Sequence, residues 1–236
     1  MCGRFAFYSP AEAAAELFGF EPPFEIDESR DGLGRAKQDA RGGPRYNIAP
    51  TELIPVVRRA RPEGREFVML RWGLVPYWAK EPSIGNRMIN ARAETLADKP
   101  AYRNAYEKRR CLVLADGFYE WRKEASGKSP WFISLVSGEP FAFAGLWEAW
   151  IDRSSGERLE TATIVTTAAT GFLRELHDRM PVVLQPETAG AWLSGSPGVL
   201  ENVTANPPEF QAWPVSRAVN NSRSDGPELI ERVASE

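Results

Sequence analysis

Histidine is nearly absent from this chain of 236 residues, which has one, together with two cysteines. One imidazole and two thiols cannot build the usual four-ligand zinc sites or a triple-histidine site, and carboxylates alone favour a harder ion. A catalytic or structural zinc is therefore not expected, and the reading calls for no metal or other cofactor. Two cysteines also make no disulfide framework, which fits a reducing compartment. Long apolar runs are missing: stretches such as Cys111-Leu112-Val113-Leu114-Ala115 fall far short of the ~20 residues that span a bilayer. Met1-Cys2-Gly3-Arg4-Phe5 lacks the basic region, apolar run and small-residue cleavage site of a secretion signal. The expectation is a soluble, cytoplasmic protein with no membrane partner. Nor is there an excess of base, since 29 Lys and Arg stand against 32 Asp and Glu for a net charge of −3. Any nucleic-acid partner would need a local basic patch.

What is present is mainly strand signal. Runs rich in β-branched and apolar residues, bounded by turn residues, predict strands at 53–57, 66–74, 111–115, 131–136, 141–146, 162–167 and 181–184. Helical stretches are fewer, at 95–107, 170–176, 186–193 and 227–233. Ser9-Pro10-Ala11-Glu12 reads as a capping box with proline at the first helical position, opening a helix that runs to Phe18 before Gly19. Residues 21–44, rich in Pro, Gly and charge, read as a long surface loop. The pattern is α+β with mainly antiparallel strands and peripheral short helices. It has no fixed-period repeat, and the length suits one large domain or two small ones.

Charge is unevenly spread. Residues 9–31 hold seven acids against one base, and residues 225–236 hold four acids against one. Between 99 and 123 seven bases outnumber three acids, which leaves the middle of the chain basic.

Cys2 reads either as a small residue opening a strand or as a reactive group. Loss of Met1 would leave a 1,2-aminothiol whose amine and thiol, with ordinary pKa values of about 8 and 8.5, give useful free amine and thiolate at neutral pH. The amine adds to an aldehyde as a Schiff base, and the neighbouring thiol can then close a thiazolidine ring. Cys111, in an apolar strand, reads as core. His177 is the one imidazole available for proton transfer near neutrality, or else a capping residue. Glu120, flanked by Phe118, Tyr119 and Trp121, is a carboxylate whose pKa those aromatics could raise, or an edge glutamate facing water. Asn90 and Arg92 share a face if their segment is extended. Arg4, Arg92 and Arg179 recur beside Cys2, Asn90 and His177, a grouping suited to phosphate oxygens or to salt bridges. Trp72, Tyr77 and Trp78 could stack on unpaired bases, with Trp72 assigned to the core before Trp78.

Seven ordered blocks carry a resemblance. Met1-Cys2-Gly3-Arg4-Phe5, Tyr46-Asn47-Ile48-Ala49-Pro50-Thr51, Arg71-Trp72-Gly73-Leu74, Asn90-Ala91-Arg92-Ala93-Glu94-Thr95, Ala115-Asp116-Gly117-Phe118-Tyr119-Glu120-Trp121, His177-Asp178-Arg179-Met180-Pro181 and Pro214-Val215-Ser216 resemble the SOS-response-associated peptidase (SRAP) family. The resemblance implies one SRAP domain over 1–236, its motifs spanning about 2–220 and residues 221–236 forming a C-terminal helix or tail. It also implies a partly barrel-like β core and an enzyme that shields abasic sites in single-stranded DNA by covalent capture. On that pattern Cys2 forms the thiazolidine with the ring-opened sugar and Asn90 positions its amine and thiol. Glu120 and His177 move protons, while Arg4, Arg92 and Arg179 hold the flanking phosphates; the stacking reading adds Trp78 as a DNA contact. The family's peptidase label corresponds to self-removal of what precedes the cysteine, and Schiff-base chemistry also allows strand cleavage by β-elimination. The expected state is a monomer, associated with the nucleoid when bound to damaged DNA. Two other readings use the same residues: an N-terminal-nucleophile cysteine peptidase or amidohydrolase acting on separate substrates, and a non-covalent reader of modified DNA.

Overall fold

Apolar and β-branched residues are dense enough to bury strands on both faces, and the computed structural model assembles them into two sheets. It describes residues 2–22, 43–60, 64–125 and 127–233. The predicted loop at 21–44 therefore falls almost wholly outside the described residues. The first sheet runs β13-β8-β7-β1-β2, with β1 Phe5–Phe7, β2 Arg45–Ile48, β7 Gly117–Glu124, β8 Gly127–Leu135 and β13 Phe210–Pro214. The second contains β3 Leu53–Arg59, β4 Arg65–Trp72, β6 Arg110–Ala115, β9 Phe141–Ile151 and β10 Arg158–Ala168. These pair in the order β10-β4-β3-β6-β9, and the β9–β10 hairpin closes them into a five-stranded ring. Pairing is antiparallel except where β10 runs parallel to β4 and to the short strand β5, Asn90–Arg92. The strand predicted at 181–184 is split into β11 Arg179–Pro181, on β10, and β12 Val183–Leu184, on β9. The α+β, partly barrel-like expectation holds.

Phe5 on β1 joins the sheets, meeting Trp72 edge-on at 5.2 Å between ring centroids and Phe143 at 5.7 Å. Full burial of each such ring stabilises by about 2–3 kcal/mol. Trp72 is wholly buried, as expected, and its indole N–H donates to the Ile89 carbonyl at 2.9 Å, which fixes the chain just ahead of β5. Gly73, at φ 125°, lies so close to Gly85 that a Cβ would come within 2.4 Å of the Gly85 carbonyl oxygen. Only glycine closes the base of the 73–88 loop that delivers β5.

The helices are short: α1 Ala11–Phe18, α2 Arg103–Lys108, α3 Leu173–Leu176, α4 Pro186–Ser194 and α5 Val199–Ala205. α1 stops as expected at Gly19, in the left-handed region at φ 61°. The predicted capping box is not formed. Pro10 is the cap residue, and the Ser9 hydroxyl instead donates to Asp116 Oδ1 at 2.6 Å. Buried Asp116 also accepts the Tyr8 and Ser9 backbone N–H groups, so a tertiary carboxylate outcompetes the local cap. The helix expected at 95–107 shrinks to α2 because most of the segment is turn. The C-terminal helix expectation reduces to a 3-10 turn at Pro227–Ile230, followed by a bridge from Arg232 to Val215. No helix among the described residues is long and apolar enough to cross a membrane.

Candidate active site

Asn90 is held by pairing on both sides of its peptide. β5 runs beside β10 with Asn90 opposite Ile164 and Arg92 opposite Thr166, and the Tyr102 hydroxyl donates to the Asn90 carbonyl at 3.2 Å. With its backbone fixed, its side-chain amide donates to the Cys2 carbonyl at 2.8 Å. The Oδ1 of the same amide is buried with no hydrogen-bond partner among the described residues. An unsatisfied buried acceptor costs about 1–3 kcal/mol, so this oxygen is a vacant place for an N–H or S–H donor beside Cys2.

Cys2 is fully buried, with Sγ 3.9 Å from the Arg4 carbonyl oxygen. Burial pushes its thiol well above the ordinary range, and the Glu120 carboxylate adds to the rise. This corrects the expectation of useful thiolate at neutral pH, which treated the group as solvated. The thiol is held as S–H and needs a base. Cys111 is buried in the barrel, as expected, and both cysteines are free.

Glu120 lies on β7, a strand paired on both sides by β1 and β8 rather than at an edge. It is 4% exposed, and burial pushes its carboxyl up to about 7. The aromatic-flanked carboxylate thus titrates where a group must both take and return a proton.

His177 follows α3, which packs against β7, and its neighbour Asp178 is close enough to add to the rise of Glu120. The imidazole Nδ1 faces two partners that ask for opposite states. It accepts the Arg179 backbone N–H at 3.0 Å, which requires a bare nitrogen, and it lies 2.7 Å from Asp178 Oδ1, which favours a protonated one. Desolvation lowers the His177 pKa, and the Asp178 side chain is 85% exposed and well screened, so the neutral ring with its proton on Nε2 prevails.

The three arginines differ. Arg4 donates to Asn47 Oδ1 and to the Val219 carbonyl, both at 2.7 Å, and so ties β1 to β2 and the C-terminal segment. Arg179 makes a fork to Glu94, at 2.7 and 2.9 Å, and donates to the Thr166 carbonyl. That fork draws the Glu94 carboxyl below its usual range. Arg92 is exposed at the end of β5. Trp78 is 44% exposed on a loop pinned to the barrel by the Trp150 indole N–H on the Ala79 carbonyl and by Val75 N–H on Thr161 Oγ1.

Asn90 thus meets Cys2 through a hydrogen bond and Glu120 lies within electrostatic reach of it, while the α3–β11 junction sets His177 next to Asp178, which acts on Glu120. Sequence reasoning did not single out Glu94, Asn47 or Asp116 as individuals, although each lies inside a quoted block. Asn47, fully buried, accepts from Arg4 and donates to the Asn221 and Ser224 carbonyls at 3.0 and 2.7 Å. No group of three or more His, Cys, Asp or Glu among the described residues could hold a metal ion.

Comparison with known proteins points one way. A family model described as SOS response associated peptidase (SRAP) matches residues 1–222. The chain is 38% identical over 237 residues to the abasic site processing protein YoqW of Bacillus subtilis (strain 168), covering 98% of this chain and 99% of that one. It is 33% identical over 241 residues to the abasic site processing protein YedK of Escherichia coli (strain K12), covering 99% and 100%. In fold it matches the crystal structure of a protein from Bacteroides thetaiotaomicron with a TM-score of 0.82 at 24% identity, over 99% of this chain and 100% of that one.

Proposed function

The chain belongs to the SOS response associated peptidase family, and from that premise we propose that it processes abasic sites in DNA by covalent capture at Cys2. The observation that carries the reading is the Asn90 amide, which grips the Cys2 carbonyl while its buried oxygen has no partner among the described residues. That oxygen accepts an N–H from a free Cys2 amine once Met1 is gone, and it aims the nitrogen lone pair at an incoming aldehyde.

The steps follow from the protonation states. The amine attacks the aldehyde of the ring-opened sugar, and loss of one water gives the Schiff base. Because burial holds the thiol as S–H, it does not compete for the aldehyde. Glu120, poised near 7, gives a proton to the departing hydroxyl and then takes one from the thiol as sulfur adds to the imine carbon. The imine nitrogen is protonated as the ring closes, so the thiazolidine contains protein plus DNA less one water. His177 is the second proton-transfer group and assists reversal. The same imine permits β-elimination of the strand, and removal of Met1 would be the peptidase side of the activity.

Arg92 is the phosphate contact open to solvent, Arg179 joins it by exchanging Glu94 for a phosphate, and Arg4 acts from its held position. Trp78 offers an exposed ring to unpaired bases, which favours single-stranded DNA. The protein acts as a monomer in the cytoplasm, at the nucleoid when bound. An amidohydrolase reading is weaker, because the Asn90 donor it would need for an oxyanion is already used by the Cys2 carbonyl. The test is a denaturing gel with an abasic single-stranded oligonucleotide. Wild type is expected to give a denaturation-resistant band that Cys2→Ala lacks, and equal bands from both would overturn the mechanism.

A further inference from the structure

At the barrel rim remote from Cys2, the end of β3 and the starts of β4, β6 and β10 open with β9 onto a groove of about 1680 Å³. Two strands measure how remote it is. β10 enters the rim at Arg158 and reaches Ile164, the partner of Asn90, six residues later, roughly 20 Å of extended chain. β6 leaves the rim at Arg110 and runs away from it to Ala115, just before the strand that carries Glu120.

The groove inverts the charge of a chain whose net charge is −3. Arg58, Arg59, Lys108, Arg109, Arg110 and Arg158 line it, against Glu66, Glu107 and Glu148. Some of these cations are committed. Arg58 pairs with Glu66 and Glu160 at 2.6 and 3.1 Å, Arg158 pairs with Glu160, and Arg109 pairs with Glu148 at 2.7 Å. Arg59, Lys108 and Arg110 form no ion pair among the described residues. Arg110 is the most telling. Its guanidinium lies 4.2 Å over the Tyr106 ring and 4.8 Å from the Trp192 ring, and its Nε donates to the Tyr106 carbonyl. Its NH1 is buried without a hydrogen-bond partner among the described residues, and burial holds its pKa below the usual arginine value. Arg109 Nε is likewise buried with no partner among the described residues. The Glu201 carboxylate acts on the Arg110 guanidinium from a distance but forms no ion pair with it among the described residues, so a cation positioned by two rings keeps a donor free for an incoming anion.

Size and chemistry decide which anion. Small-molecule sites are mostly apolar and about 300–1,000 Å³, whereas this groove is larger and lined by charge. Guanidinium forks match phosphate oxygens, and Tyr77, 56% exposed on the groove wall, offers a ring to an unpaired base. We propose that this groove holds the phosphodiester backbone of a single DNA strand, as a second contact site remote from Cys2. It rests on the reading above only in taking DNA as the ligand, and it adds anchorage that does not depend on damage.

The test uses undamaged single-stranded oligonucleotide, which offers Cys2 no aldehyde, and fluorescence anisotropy across a salt series. Arg59 and Lys108 are exposed, so the double substitution Arg59→Gln with Lys108→Gln leaves the core intact, which an unchanged thermal melt checks. Losing two phosphate contacts should make the slope of log K against log salt shallower by about 1.4 and weaken low-salt binding roughly tenfold or more. Arg110→Lys, which keeps the charge and loses the fork, should weaken binding less. Unchanged slope and affinity in the double variant would overturn the proposal, as would displacement of the strand by inorganic phosphate at equal phosphate concentration. The two readings fail separately. The double variant should still capture abasic DNA fully at saturation, whereas a wild type that binds through the groove yet captures nothing would contradict the Cys2 chemistry alone.

Discussion

Replacing Glu120 by glutamine should stabilise the protein in a pH-dependent way while removing a reacting group. The buried carboxyl is raised from an ordinary 4.5 to about 7, which makes its ionisation in the fold harder by about 3 kcal/mol at ~1.4 kcal/mol per pH unit. Below 4.5 both the folded and unfolded carboxyl are protonated, and the glutamine variant gains nothing. Between 4.5 and 7 the unfolded chain ionises and the folded one resists, so wild-type stability falls with rising pH. Above 7 both are ionised and the full penalty persists. Glu120→Gln removes the penalty, so its advantage should grow from near zero at pH 4.5 to about 3 kcal/mol at pH 8. For a chain of this length that is roughly 6–12 °C in Tm. Calorimetric melts of both proteins from pH 4.5 to 8.5 measure the difference directly, and the common response of all other groups cancels. A Tm gap that stays constant over that range, or a variant less stable at pH 8, would refute the burial argument.

Asn90→Leu removes the donor on the Cys2 carbonyl and the vacant acceptor beside it, and should slow single-turnover capture by about 10- to 100-fold, in line with 1–3 kcal/mol for a buried hydrogen bond. Asp116→Ala strips the partners of Tyr8 N–H, Ser9 N–H and the Ser9 hydroxyl and should cost about 3 kcal/mol in urea unfolding. The depressed histidine gives the opposite pH sign to Glu120. Protonating His177 breaks the Arg179 N–H bond to Nδ1, so stability should drop as pH falls through a value below 6.5, and His177→Gln should abolish that component of the melt profile.

The strands of the barrel were legible because each is a run of apolar and β-branched residues, as at Cys111–Ala115, whose burial needs no partner to be named in advance. β2, β5 and β13 were not, because Asn90–Arg92 and its like are polar or short and become strands only when a neighbour pairs them. The expectation for Glu120 was right about its raised carboxyl and wrong to entertain an edge position, since the strands on either side of β7 come from distant sequence. Ser9 misled for the same reason: a local capping signal lost to Asp116, more than 100 residues away. Thiolate at Cys2 followed from solution chemistry, and only the packed fold shows that the sulfur is dry. The pairings of Arg179 with Glu94 and Arg4 with Asn47 are likewise tertiary, although all four residues lie in blocks that carried the family resemblance.

The central claim is a ring formed between Cys2 and an aldehyde with loss of one water, and intact-mass spectrometry weighs that product directly. Protein lacking Met1, mixed with an abasic single-stranded oligonucleotide, should shift by the mass of the oligonucleotide minus 18 Da, roughly one water, and Cys2→Ala should show no stable adduct. An unshifted wild type, or an equal stable adduct on Cys2→Ala, would contradict the account.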